Sequence, residues 1–226
     1  MSDRDLIPSA AMQTSSGKSS TKAAEYQRLS RAEPIPPQQL TASQQAYYQQ
    51  TKQQIEQQFP VAARSSAIAD NGALLGPWSV WISTPDLGTA FAAVQSTISA
   101  LQALPPRAQQ VVTLLTAASQ RADYELAGHR TIAISQGFTA DEADALAQGY
   151  APSTLAPAEQ LAATATHCLL AGGALPQPLY RELLHTFGPH GPVHLCSLMG
   201  QYLFLSVTLN TFDVPVPDGA TAPNSQ

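Results

Sequence analysis

Residues 121–142 read RADYELAGHRTIAISQGFTADE. The pattern predicts a helix of about four turns over 122–135, with Gly137 as a left-handed C-cap. At ~100° per residue, Ala122, Leu126, Ile132 and Ala133 share one apolar arc. Glu125 and His129 fall inside the same arc, four residues apart and so side by side. A carboxylate and an imidazole on a core-facing stripe must be paired, hydrogen-bonded or set beside a cavity, because burying a bare charge is expensive. The two form a candidate acid–base dyad. Arg121, Glu125 and His129 also extend into an i, i+4, i+8 ladder, which would be a solvated ion-pair stripe worth ~0.3–0.5 kcal/mol per pair. Periodicity leaves both readings open.

Working outward, the helical signals continue in both directions. Thr139-x-x-Glu142 is a capping box for a short helix to 148, and Pro105-Pro106 opens a helix running to 119, where a missing N–H is harmless. Apolar points at Leu87, Phe91, Val94 and Ile98 predict a helix over 87–103. The Gly/Pro-punctuated aromatic stretch 72–82 predicts a short helix or loop. Pro157 opens a helix to 170 that Gly172-Gly173 ends, and 176–186 and 193–209 complete the set. A polar, Gln-rich helix begins near Thr41 with Tyr47, Tyr48, Ile55 and Phe59 as its apolar points. No segment alternates with period two, so the expected class is all-α, with about seven to nine helices. Residues 1–38, rich in Ser, Ala, Gln and Pro, are expected to be a disordered or loosely attached arm, residues 39–216 one helical domain, and 217–226 a disordered tail.

Several motifs together resemble a known family. The run Tyr124-Glu125-Leu126-Ala127-Gly128-His129, followed by Gly137-Phe138-Thr139-Ala140-Asp141-Glu142, is similar to the core of the carboxymuconolactone decarboxylase and alkylhydroperoxidase D-like superfamily. Leu75-Gly76-Pro77, Pro85-Asp86-Leu87, Leu104-Pro105-Pro106-Arg107, Phe187-Gly188 and the closing Leu209-Asn210-Thr211-Phe212-Asp213-Val214-Pro215 extend the resemblance over about residues 73–216. It implies a single all-helical domain of the alkylhydroperoxidase D-like type that self-associates as a dimer, trimer or hexamer. The departures narrow the chemistry. The two cysteines of peroxidase-type members would fall at 122 and 125, where this chain has Ala122 and Glu125. Without a thiolate and its resolving partner, disulfide-linked peroxide reduction is not expected. A Glu four residues before the His resembles the cysteine-free, decarboxylase-like branch, although the Trp that often follows the Glu is Leu126 here.

Composition sets the outer limits. The charged fraction is 12% with a formal net charge of −5, and no Lys/Arg cluster occurs, so neither nucleic acid nor a membrane surface is an expected partner. The N-terminus does not read as a secretory signal, and the apolar window 193–209 is short for a membrane span and interrupted by polar residues. A cytoplasmic protein is expected. The two cysteines, Cys168 and Cys196, match no metal-ligand spacing and are expected as buried, reduced thiols, with no metal site.

The expected activity is that of a cofactor-independent lyase or isomerase acting on a carbonyl-containing acid or lactone by decarboxylation, dehydration, double-bond isomerisation or cyclisation. His129 is the candidate general acid/base and Glu125 its orienting partner or second base. Two groups coupled in this way titrate as a pair and can hold one shared proton. Tyr124, Arg121, Trp78, Trp81, Tyr202 and Asn210 are candidate substrate-binding residues, with core packing or internal hydrogen bonds as the competing role for each. The alternative is a non-catalytic oligomeric scaffold or small-molecule binding protein of the same fold.

Overall fold

The computed structural model describes residues 30–58 and 67–216. Most of the expected arm, the expected tail and Phe59 lie outside the described residues. Among the described residues are nine α-helices: α1 (Ala42–Gln58), α2 (Pro77–Trp81), α3 (Pro85–Ser99), α4 (Pro106–Ser119), α5 (Asp123–Ser135), α6 (Ala140–Ala147), α7 (Pro157–Leu170), α8 (Gln177–Phe187) and α9 (Gly191–Thr211). No strand forms there beyond one antiparallel bridge, Ile68 to Leu74. The all-helical class and the helix number read from the sequence both hold.

The centre of the fold is α4. Proline at its first turn starts it without losing an N–H. Beyond that turn Val111, Val112, Leu114, Leu115 and Ala117 are all buried, because α7, α5, α9 and α6 surround the helix. Each large aliphatic side chain so placed contributes ~1.5–3 kcal/mol. Ion pairs tie the periphery to this hub. Arg107 at the start of α4 forks onto Glu159 of α7 at 2.6 and 3.2 Å, and Arg130 of α5 forks onto Asp144 of α6. The capping box at α6 forms as expected: Thr139 Oγ1 accepts from the Glu142 N–H at 3.1 Å, and Glu142 accepts from the Thr139 N–H at 3.0 Å. Gly137, at φ 91°, takes the left-handed turn that closes α5.

Some faces differ from the periodicity. Ile132 sits at the edge of the α5 arc, ~100° round from Ala133, and is 40% exposed. On α3, Phe91 and Ile98 are buried while Leu87 and Val94 are half exposed, since α3 packs mainly on α1, α2 and α9. Both cysteines are free, but Cys196 is exposed and Cys168 half-buried. The helix carrying Cys196 is apolar nearly all round, so its pattern did not show which face turns inward. Among the described residues α9 is the one helix long and apolar enough to cross a bilayer. Its Leu195, Leu198, Met199, Leu205 and Leu209 are buried in the helical core. The described end of the expected arm is docked: the Arg31 N–H donates to the Phe212 carbonyl at 2.7 Å, Ser30 Oγ donates to the same oxygen at 3.2 Å, and Ala32 is buried.

Candidate active site

Glu125 is the third residue of α5, so its carboxylate lies in the first turn, where the helix dipole favours a negative charge. It is only 5% exposed. One turn on, His129 Nε2 stands 3.5 Å from Glu125 Oε2. The other face of the imidazole is held from α4, where Gln110 Oε1 lies 2.9 Å from His129 Nδ1. Gln110 is itself buried, in the run whose next two residues, Val111 and Val112, are fully buried. Tyr202 of α9 closes a third side, its ring meeting the imidazole edge-on at 4.9 Å between centroids and 86° between planes. Burial first and the Glu125 charge second push the Tyr202 phenol well above its ordinary value, and a hydrogen bond with Thr113 of α4 offsets part of that. Tyr202 therefore keeps its proton. Three helices thus converge on one polar cluster in an otherwise apolar region: Gln110 and Thr113, Glu125 and His129, and Tyr202.

The sequence reading had found Glu125, His129 and Tyr202 but not Gln110 or Thr113. The missed signal was visible: Gln110 and Thr113, polar residues three apart, stand among the apolar residues of QVVTLLT on the central helix. Other candidates stand elsewhere. Arg121 has φ 51° in the turn before α5, is exposed, and makes no ion pair with Glu125; the helix begins two residues after it, which breaks the i, i+4 ladder. Trp81 is buried between Phe91, at 4.8 Å, and Phe204, at 6.4 Å, as a core aromatic. Trp78 is partly buried against the same core. Tyr124 packs there too, its hydroxyl resting on the backbone of Gly76. Asn210 Nδ2 donates to the Gln120 carbonyl at 2.7 Å, stitching α9 to the end of α4. His194 is fully buried and accepts the Leu104 N–H on Nδ1 at 3.1 Å. Among the described residues no His/Cys/Asp/Glu group is arranged to hold a metal ion. An open groove of about 480 Å³ between α3 and α9, lined by Phe91, Val94, Ile98, Gly200 and Gln201, takes in neither Glu125 nor His129.

The fold is of the alkylhydroperoxidase D-like type. Its similarity to an uncharacterized peroxidase-related protein with an alkylhydroperoxidase AhpD core, from Ralstonia eutropha JMP134, has a TM-score of 0.65 at 14% identity, covering 84% of this chain and 93% of that one. A complex of the debrominase Bmp8 with 2,3,4-tribromopyrrole gives a TM-score of 0.56 at 16% identity, over 78% of this chain and 90% of that one. Apo Bmp8 gives 0.57 at 16% identity, over 78% and 91%. Residues 85–167, which hold Gln110, Glu125 and His129, match the model of the carboxymuconolactone decarboxylase family. The family match covers the central part of the chain, and the structural neighbours share its fold. No functionally described protein matches it in sequence.

Proposed function

We propose that the protein is a cofactor-independent lyase or isomerase that moves a proton at carbon beside a carbonyl, with His129 as general acid/base and Glu125 as its partner. The observation carrying this reading is the buried carboxylate facing an imidazole nitrogen at 3.5 Å, at a site with no sulfur on the helix. The chain's only cysteines lie on α7 and α9, so a thiol pair on α5 has no counterpart here. His129 takes the proton from carbon, the electron pair moves onto the substrate carbonyl oxygen, and Tyr202 is the nearby neutral donor for the developing enolate. Returning the proton to another carbon gives isomerisation. Expulsion of a β-hydroxyl from the enolate, protonated as it leaves, gives dehydration. In decarboxylation the enolate forms directly: the bond to the carboxylate breaks, carbon dioxide leaves, the pair moves onto the carbonyl oxygen, and His129 then delivers a proton to carbon. The substrate class is a carbonyl-containing acid or lactone. Self-association through the charge-free, partly exposed α9 and a cytoplasmic location accompany the proposal.

The test is deuterium incorporation beside the carbonyl, followed by NMR in D2O over a panel of lactones, keto acids and enones. Wild-type protein is expected to exchange at least one member, and His129→Ala and Glu125→Gln each to slow that exchange ~100-fold or more with unchanged helical content. Equal rates in either variant would remove the pair from the chemistry. No exchange across the panel would favour the non-catalytic scaffold or binding protein.

A further inference from the structure

Gln110 stands behind the imidazole, on the side away from Glu125. Its Oε1 accepts and cannot donate, so the nitrogen it faces at 2.9 Å carries a hydrogen. With Nδ1 so fixed, Nε2 is the nitrogen that faces Glu125 Oε2 across 3.5 Å, and a proton shared by the pair would lie on that side. In one arrangement the proton sits on Nε2, giving imidazolium and carboxylate. In the other it sits on Glu125, giving neutral imidazole and neutral acid. Both have zero net charge, which limits the cost of burying the two side chains, 14% and 6% exposed. An amide at position 110 can neither take nor give up a proton, so proton transfer stops there.

We infer that Gln110 is a positioning residue that fixes neutral His129 as the Nδ1–H tautomer and confines the mobile proton to the Nε2–Glu125 side. Its effect on turnover rests on the proposed acid–base reading; the tautomer does not. The titratable groups facing the ring are Glu125 on its own helix and Tyr202 on α9; α4 supplies only the uncharged Gln110, and Asp144 of α6 is engaged by Arg130.

The experiment is ¹⁵N NMR of full-length protein labelled at histidine, with the His129 resonances assigned by their loss in His129→Asn. In wild type, neutral His129 is expected to show a protonated Nδ1, with Nε2 the nitrogen that responds to pH. Gln110→Met removes the acceptor at similar volume and is expected to release the ring to the Nε2–H form, lowering kcat ~10-fold or more with KM little changed. Gln110→Glu keeps an acceptor on Nδ1 and restores the Nδ1–H signature. Its added charge holds the ring protonated to higher pH, so the pH profile of turnover moves upward. A wild-type spectrum with hydrogen on Nε2 overturns the inference, as does a Gln110→Met spectrum identical to wild type. Should Gln110→Met not fold, the wild-type spectrum decides alone. An Nδ1–H spectrum in a protein whose His129→Ala variant keeps full exchange activity would sink the proposed reaction and leave the tautomer assignment standing.

Discussion

Replacing Arg107 by Ala tests how firmly the central helix is held to its surroundings. The guanidinium makes two bonds to Glu159, at 2.6 and 3.2 Å, and its carbon lies 3.7 Å above the Phe138 ring. The Glu159 hydrogen bond is the main reason the Arg107 pKa is raised further. Breaking a fully buried pair costs ~3–5 kcal/mol, because the surviving charge stays desolvated. Two features reduce that here. The Arg107 side chain is 30% exposed, so water reaches the gap, and Glu159 still accepts the Ala156 N–H at 3.0 Å. Lost stacking on Phe138 adds ~0.5–1 kcal/mol. The expected net loss is about 2–3 kcal/mol, or roughly 5–10 °C in Tm for a domain of this size. Urea titration followed by circular dichroism should show a lower midpoint at constant slope. Arg107→Lys, which keeps the charge but loses the fork and the stack, should lose about half as much. A change below ~0.5 kcal/mol in Arg107→Ala would place the pair with ordinary surface ion pairs and refute the burial argument.

Two further outcomes follow from groups outside the pair. His194 accepts the Leu104 N–H and burial lowers its pKa, so protonation opposes the fold: its contribution is present above the ordinary value of 6.5 and is lost as pH falls below it toward the folded value. His194→Asn, whose Oδ1 can accept the same N–H without titrating, should flatten the decline of Tm below about pH 6.5, and an unchanged slope would acquit His194. Gly76 has φ 62°, and a methyl there would lie 2.3 Å from the Tyr124 hydroxyl oxygen. Gly76→Ala should therefore lose ~2 kcal/mol or more, measured by urea titration, and a loss under ~0.5 kcal/mol would mean that loop and tyrosine move apart freely.

The helices were legible because their ends are marked by local chemistry. Thr139 and Glu142 cap each other, Pro106 and Pro157 start their helices, and Gly137 ends one, all through contacts within four residues. The pairing of Glu125 with His129 was legible for the same reason, since one helical turn sets it. What holds His129 from behind was not, because Gln110 lies 19 residues away and reaches the ring only once α4 and α5 pack. Arg121 shows the opposite failure. The i, i+4 spacing was right, but a left-handed backbone at φ 51° places it outside the helix. Trp81 could be read as a substrate-binding aromatic until the fold shows it packed against Phe91 and Phe204.

The docking of Ser30 onto Phe212 joins residues 182 apart in the chain. During synthesis Ser30 emerges from the ribosome long before Phe212, so this closure waits until all nine helices have been made. The same delay applies to α4, whose buried Val111, Val112 and Leu115 emerge well before α9 arrives to cover them. A nascent chain stalled before α9 would present an uncovered apolar helix to solvent, the kind of surface that chaperones bind and that aggregates when they do not. Truncation before α9 should therefore yield insoluble protein, even though it leaves Gln110, Glu125 and His129 intact.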